Sequence, residues 1–212
     1  LQNIKQMIVS ADNGKIIKEG INTVIVGKPN AGKSSLLNIL AGEEKAIVTD
    51  VAGTTRDILE ENIKLHGIGL NIIDTAGIRS TEDVVEKIGV EKAKKYALQS
   101  DLIIYVVDSS DDFDESDSEI LELIQDKKCI VLLNKTDLEP KVTEKDLQKR
   151  IKEDTVIIKT STKENIGMKE FENTIKEMFF EGNISSNDEV MITNMRHKEA
   201  LIDSYESLKQ VK

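Results

Sequence analysis

The chain has 212 residues, the length of one or two domains at about 150 residues each, which excludes a large multidomain assembly. Hydrophobic residues make up 39% and glycine adds twelve positions, enough apolar material to bury a sizeable core and exclude wholesale disorder. Twenty-nine basic residues against 39 acidic ones give a net charge of −10, and three Tyr, four Phe and no Trp leave few rings for base stacking, so a broad RNA-binding face is disfavoured.

Ile4, Met7, Ile8 and Ala11 recur at helical spacing, so residues 1–19 read as an amphipathic helix; the start at Leu1 rather than Met suggests an excised or processed segment. Thr23–Val26 is the first β-branched run, followed by a glycine-bearing loop and a helical stretch over Lys33–Leu40. Glu60–Leu65 and Leu70–Ile73 flank His66-Gly67-Ile68-Gly69, which reads as the turn of an antiparallel hairpin. Further strands are expected at Leu102–Val107, Cys129–Leu133 and Val156–Lys159, and helices near Val84–Gln99, Ser116–Gln125, Glu144–Lys152 and Lys169–Phe179. Met195, Leu201, Tyr205 and Leu208 give residues 189–211 a second terminal amphipathic pattern. Both terminal helices would pack on each other or on the middle of the chain, or serve as binding elements. The alternation predicts an α/β fold: a six-stranded, mostly parallel sheet with helices on both faces and flanking helices at both termini.

The longest apolar run, Leu102–Val107, is far below the ~18 residues of a membrane-spanning helix. With no signal pattern at the N-terminus, a cytoplasmic chain without membrane contact is expected. Cys129, the single cysteine, rules out an internal disulfide or a cysteine-based zinc site and reads as a core thiol. Asp111, Asp112, Asp114, Glu115 and Asp117 read as a solvated loop, with a metal site as the sharper alternative. His66 and His197 are assigned no catalytic role.

Four sequence elements carry the chemistry. Gly27-Lys28-Pro29-Asn30-Ala31-Gly32-Lys33-Ser34 satisfies GxxxxGK[ST] between a strand and a helix. Such glycines let backbone wrap a phosphate, the helix start points N–H dipoles at it, and the lysine neutralises its outer oxygens. Asn30, Ala31, Gly32, Lys33, Ser34 and Ser35 are the expected nucleotide contacts here, with Ser34 able to ligate Mg²⁺. Asp74-Thr75-Ala76-Gly77 follows the strand Leu70–Ile73 and places a carboxylate near that metal and a glycine amide near a terminal phosphate. Asn134-Lys135-Thr136-Asp137 follows Cys129–Leu133. Asp137 can accept the ring N–H and exocyclic NH₂ of guanine, Asn134 can join the base edge to the phosphate loop, and the stem of Lys135 can cover the base. Ser161-Thr162-Lys163, after the last strand, would add a backbone contact to the base. In this order the motifs select GTP over ATP.

The four elements resemble those of the translation-factor class of P-loop GTPases. GKPNAGKSSLLNILAG, AIVTDVAGTTRDILEE, LNIIDTAGIR, EKIGVEKA, NKTD and ITNMRHKEAL together resemble the GTPase domain of the MnmE (TrmE) tRNA-modification family over essentially the whole chain. The resemblance implies a GTPase domain over residues 20–182, held between helical-domain segments 1–19 and 183–212. It also implies a folate-binding domain before this stretch and a cysteine motif after it, neither within these residues, so that this segment hydrolyses GTP without completing the modification.

Ile78 stands where many GTPases carry a water-orienting glutamine and cannot polarise water. Alone, Glu86 reads as a helix-surface carboxylate; the resemblance implies that it orients the attacking water through a second water. The resemblance further implies nucleotide contacts from Thr49, Asp50, Val51, Ala52, Gly53, Thr54 and Thr55. Between that loop and the phosphate loop it implies a K⁺ site of Asn30, the carbonyls of Thr49 and Val51, and Thr54, with Thr55 joining Ser34 and Asp74 on Mg²⁺. Catalysis would then rest on Glu86, Thr54 and Thr55, and Arg56 is either an arginine finger or a loop-ordering or dimer contact. The implied partners are GTP and GDP, a second GTPase domain paired face to face, and a flavin-dependent protein of the modification complex, with little direct tRNA binding by this segment. Two alternatives stay open: a potassium-dependent GTPase of ribosome assembly, and a scaffold that binds GTP but turns it over negligibly.

Overall fold

A computed structural model of the chain describes residues 16, 19–43, 60–65, 68–73, 96–179, 204 and 207. Among these lie six strands, β1 (Ile21–Val26), β2 (Glu60–Leu65), β3 (Ile68–Ile73), β4 (Leu102–Asp108), β5 (Cys129–Asn134) and β6 (Val156–Lys159). Four helices accompany them, α1 (Lys33–Glu43), α2 (Glu115–Ile124), α3 (Glu144–Gln148) and α4 (Met168–Phe179). Residues 96–99 are also helical, as are Ile16, Glu19, Ser204 and Ser207 from the expected terminal helices.

One sheet runs in the order β2-β3-β1-β4-β5-β6. All pairs are parallel except the hairpin β2–β3. Central strands of such a sheet are covered on both faces and so read as unbroken apolar runs. In β4, Leu102, Ile104 and Val106 enter one core with Leu36, Leu37 and Leu40 of α1 and Phe171, Ile175 and Phe179 of α4. Ile103, Tyr105 and Val107 enter the opposite core with Leu121 and Ile124 of α2, Leu147 of α3, and Tyr96 and Ala97. The period-two alternation of a strand thus feeds two helical layers. The sheet grows outward on both sides of β1, and ligand crevices of open α/β sheets form where the strand order reverses in this way, at the carboxyl ends of the strands.

Several expected boundaries shift by one to four residues, and two of the shifts have a local cause. Ile68 and Gly69 are not turn residues: Leu65 pairs with Ile68 and Lys64 with Gly69, and burial of Ile68 shortens the connection to residues 66–67. Helix α3 ends at Gln148 rather than Lys152, because the Leu147 carbonyl accepts both Arg150 N–H and Ile151 N–H and closes the last turn. The terminal helices over 1–19 and 189–211 and the start of the helix expected at Val84 lie mostly outside the described residues.

Candidate nucleotide site

At the end of β1 the chain passes through residues 27–32 before α1 begins. Asn30 sits at φ 59, a left-handed conformation that asparagine tolerates, and Gly32 at φ 109, where a side chain is strained. The first turn of α1 carries no acidic residue, so its positive dipole end meets no side-chain carboxylate of its own helix. Lys33 Nζ folds back over the loop, donating to the carbonyls of Gly27 at 2.7 Å and Lys28 at 2.6 Å. Burial pulls the Lys33 ammonium down to a pKa of about 8. Ser34, Ser35 and Asn30 lie on the exposed side of the loop and helix start.

The other wall comes from the ends of β5 and β6. Asn134, fully buried, donates from Nδ2 to the Ala31 carbonyl at 2.8 Å and accepts at Oδ1 from the Thr162 N–H at 3.0 Å. It therefore ties the phosphate-type loop to the segment after β6 through a single carboxamide. A Cβ on Gly32 would stand 2.2 Å from Asn134 Nδ2, so the missing side chain of this glycine is what admits the bond. Thr162 Oγ1 lies 3.4 Å from the same Nδ2, and Thr160 Oγ1 donates to Asn134 Oδ1 at 3.4 Å.

Asp137 follows at the rim, accepting from Ser161 Oγ at 2.7 Å, with Lys163 Nζ at 4.0 Å. The Ser161 hydroxyl holds the Asp137 carboxyl below the usual carboxylate range, so it is ionised near neutral pH and can only accept hydrogen bonds. Lys135, at φ 61, pairs its ammonium with Asp108 at the end of β4. Burial alone would raise the Asp108 pKa, but bonds from Lys135 and Ser110 outweigh it and lower the carboxyl. Thr136 donates from Oγ1 to the Thr160 carbonyl at 3.0 Å.

Sequence reading missed Asp108 and Thr160. Asp108 is opposite Asn134 in the β4–β5 register, and an acidic residue closing an apolar strand beside the Asn-Lys-x-Asp strand was its one available signal. The acidic loop also departs from expectation: Asp117 is buried, not solvated, and its neighbours gather around Lys28. Thr49, Asp50, Val51, Ala52, Gly53, Thr54, Thr55, Arg56, Asp74, Thr75, Ala76, Gly77, Ile78 and Glu86 lie outside the described residues. Among the described residues no group of three or more His, Cys, Asp or Glu is placed to hold a metal.

Residues 22–135 match a family model described as 50S ribosome-binding GTPase. The chain is 55% identical over 211 residues to the tRNA modification GTPase MnmE of Lachnoclostridium phytofermentans, covering 100% of this chain and 46% of that protein. It is 50% identical over 206 residues to the tRNA modification GTPase MnmE of Clostridioides difficile, covering 97% and 45% respectively. The chain thus spans less than half the length of these relatives. Among solved structures, the G domain of the T. maritima FeoB iron transporter matches with a TM-score of 0.53 and 29% identity, over 74% of this chain and 97% of that one. The cytosolic domain of the same transporter in its GMPPNP form matches with a TM-score of 0.54 and 27% identity, over 77% and 66%.

Proposed function

The chain belongs to the P-loop GTPases that this family model describes and, among them, to the MnmE tRNA modification GTPases; from that premise we propose a potassium-dependent GTP hydrolysis cycle that pairs two GTPase domains during wobble-uridine modification of tRNA. Members of the family are GTP-hydrolysing enzymes. The observation that best supports the reading is the bond from Asn134 to the Ala31 carbonyl, which brings the phosphate-type loop and the Asp137 carboxylate to one crevice.

In this reading guanine lies against Asp137, its ring N–H and exocyclic NH₂ donating to the carboxylate under the stem of Lys135. A site built on such bonds rejects a base lacking the donors by up to ~10⁴. Lys33 moves from the Gly27 and Lys28 carbonyls to the outer phosphates, and the first N–H groups of α1 meet the same anion. A GTPase of this family takes a metal ion such as Mg²⁺. Ser34, exposed in the first turn of α1, offers the kind of oxygen such a hard cation prefers, and Asp74 and Thr55 would complete the set. Bound there, the ion neutralises charge shared between phosphate oxygens.

Asn30, exposed on the loop, would hold K⁺ together with the carbonyls of Thr49 and Val51 and the side chain of Thr54, and the ion would supply the positive charge that an arginine finger supplies in other GTPases. Asp50, Ala52, Gly53, Thr75, Ala76 and Gly77 would contact the same nucleotide, and Glu86 would orient the attacking water. Residues 20–182 form the GTPase domain, between helical-domain segments 1–19 and 183–212. A flavin-dependent protein is the partner within the modification complex, and the net charge of −10 supports little direct tRNA binding by this segment. No described helix is long and apolar enough to cross a membrane; a cytoplasmic cycle is part of the proposal. The matched model's description names ribosome binding, but the MnmE relatives cover the whole chain, so tRNA modification is preferred.

GTP turnover measured in K⁺ and in Na⁺ at matched ionic strength, for the unaltered chain and for Glu86→Ala, tests the cycle. Loss of a charge-stabilising group costs about 10²-fold and loss of a group that acts on the attacking water at least about as much, so a deficit of that order is expected in Na⁺ and in the variant. Equal rates in both salts would remove the cation from the mechanism; full turnover by Glu86→Ala would remove that residue.

A further inference from the structure

We propose that Lys28 is a positioning residue, clamped by the turn between β4 and α2 so that the backbone which parks Lys33 is held rigidly against β4. Lys28 is the second residue of the phosphate-type loop, yet its side chain is only 10% exposed. Its ammonium sits 2.9 Å from Asp117 Oδ2 and 3.2 Å from both Asp111 Oδ2 and Asp114 Oδ2, and donates to the Asp112 carbonyl at 2.7 Å. Asp117, 2% exposed, accepts the Tyr105 hydroxyl at 2.7 Å on its other oxygen. Tyr105 is fully buried in β4 and pairs with Val26, the last residue of β1.

The path from β4 to the site is therefore continuous: Tyr105, Asp117, Lys28, and then the Lys28 carbonyl, which accepts Lys33 Nζ. Gly27 completes the contact, since a Cβ there would meet the Val106 carbonyl at 2.3 Å and the loop entrance is pressed onto the same strand. The turn also has bonds of its own. Asp114 caps α2 through the N–H groups of Ser116 and Asp117, and Asp117 accepts the Asp114 N–H in return. Lys28 instead supplies the cation for three carboxylates, one of them buried, and a buried charge left without its partner is strongly disfavoured. Burial works against the Lys28 charge, but the bonds to Asp117, Asp111 and Asp114 outweigh it and raise the pKa above the usual lysine value.

The inference rests on the reading that residues 27–34 hold nucleotide phosphates. It is tested on the 212-residue chain by competition of GDP and GMP against a fluorescent GDP analogue, alongside thermal melting. The GDP-to-GMP affinity ratio isolates the outer phosphate that Lys33 serves, whereas a merely structural role would move only the melting temperature. Displacing the loop is expected to lower that ratio about tenfold in Lys28→Met and in Asp117→Asn, with the double variant no lower than either single one and Lys28→Arg close to the unaltered chain. Should Lys28→Met not fold, Asp117→Asn, which keeps an acceptor for Tyr105, decides alone. An unchanged ratio, or additive losses in the double variant, would overturn the clamp while leaving the phosphate site intact; failure of the unaltered chain to bind the GDP analogue would overturn both.

Discussion

In the proposed nucleotide site Lys33 is the residue that meets the outer phosphates, and its environment fixes a pH dependence. Burial takes its pKa from 10.5 down to about 8 while its ammonium donates to the carbonyls of Gly27 and Lys28. Between these two values the unfolded chain binds more protons than the folded one at this position. The Lys33 contribution to stability therefore rises with pH through that window, and the cost of burying the charge is borne below it. Phosphate oxygens favour the charged form, so nucleotide binding must draw a proton onto Lys33 above pH 8. At pH 8.5, calorimetry of GDP binding in two buffers of different ionisation enthalpy should register uptake of roughly half a proton or more, falling toward none at pH 6.5. Equal heats in the two buffers at pH 8.5 would show that Lys33 is already charged. Residues of this kind, fixed by a local pattern, are legible in the amino-acid sequence: Lys33, Asn134 and Asp137 stand in motifs whose chemistry follows from their spacing. Asp108 and Lys28 are not, because each acts through a partner 27 or more positions away in the chain.

The elements that carry those residues are legible to the extent that their burial is two-sided. β4 and β5 are apolar at every position that enters a core, so their existence follows from composition, and only the polar residues Asp108 and Asn134 at their ends escape. The ends escape because a strand stops where its pairing stops, and Asp108 pairs with Asn134 across the sheet. α3 runs short of its pattern for a similar reason, its last turn being closed by backbone bonds that no side-chain periodicity encodes. α4 is the opposite case, an amphipathic stripe of Met168, Phe171, Ile175 and Phe179 that all enter the core. Phe171 is fully buried against the face shared with α1, so Phe171→Ala leaves a cavity and should cost about 3–5 kcal/mol of unfolding free energy. Urea denaturation followed by far-UV circular dichroism measures it. A loss below about 1 kcal/mol would mean that α4 does not stabilise the sheet as its packing indicates.

At the scale of the whole molecule, the sheet order places the loop after β1 and the segments after β5 and β6 along one edge of the fold, so a ligand there touches elements widely separated in sequence. Such a ligand stabilises the folded state as a unit, and Cys129 offers a reporter far from the chemistry. It begins β5 between β4 and β6, is 5% exposed, and its thiol is pushed up to a pKa of about 12 by burial. Both access and ionisation are denied in the folded chain, since the thiolate is the reactive form. Labelling by a thiol reagent near neutral pH must then wait for the sheet to open. If opening is global and reclosing is fast, the labelling rate follows the population of the open form, and a nucleotide at 100 times its Kd lowers that population about 100-fold, or ~2.7 kcal/mol. GDP is expected to slow Cys129 labelling by that factor in the unaltered chain, and to do so far less in Asn134→Ala, where the bond joining the two walls is gone. Labelling that is rapid without denaturant, or indifferent to saturating GDP, would mean that β5 opens independently of the nucleotide crevice and that the two halves of the site are not coupled through the sheet.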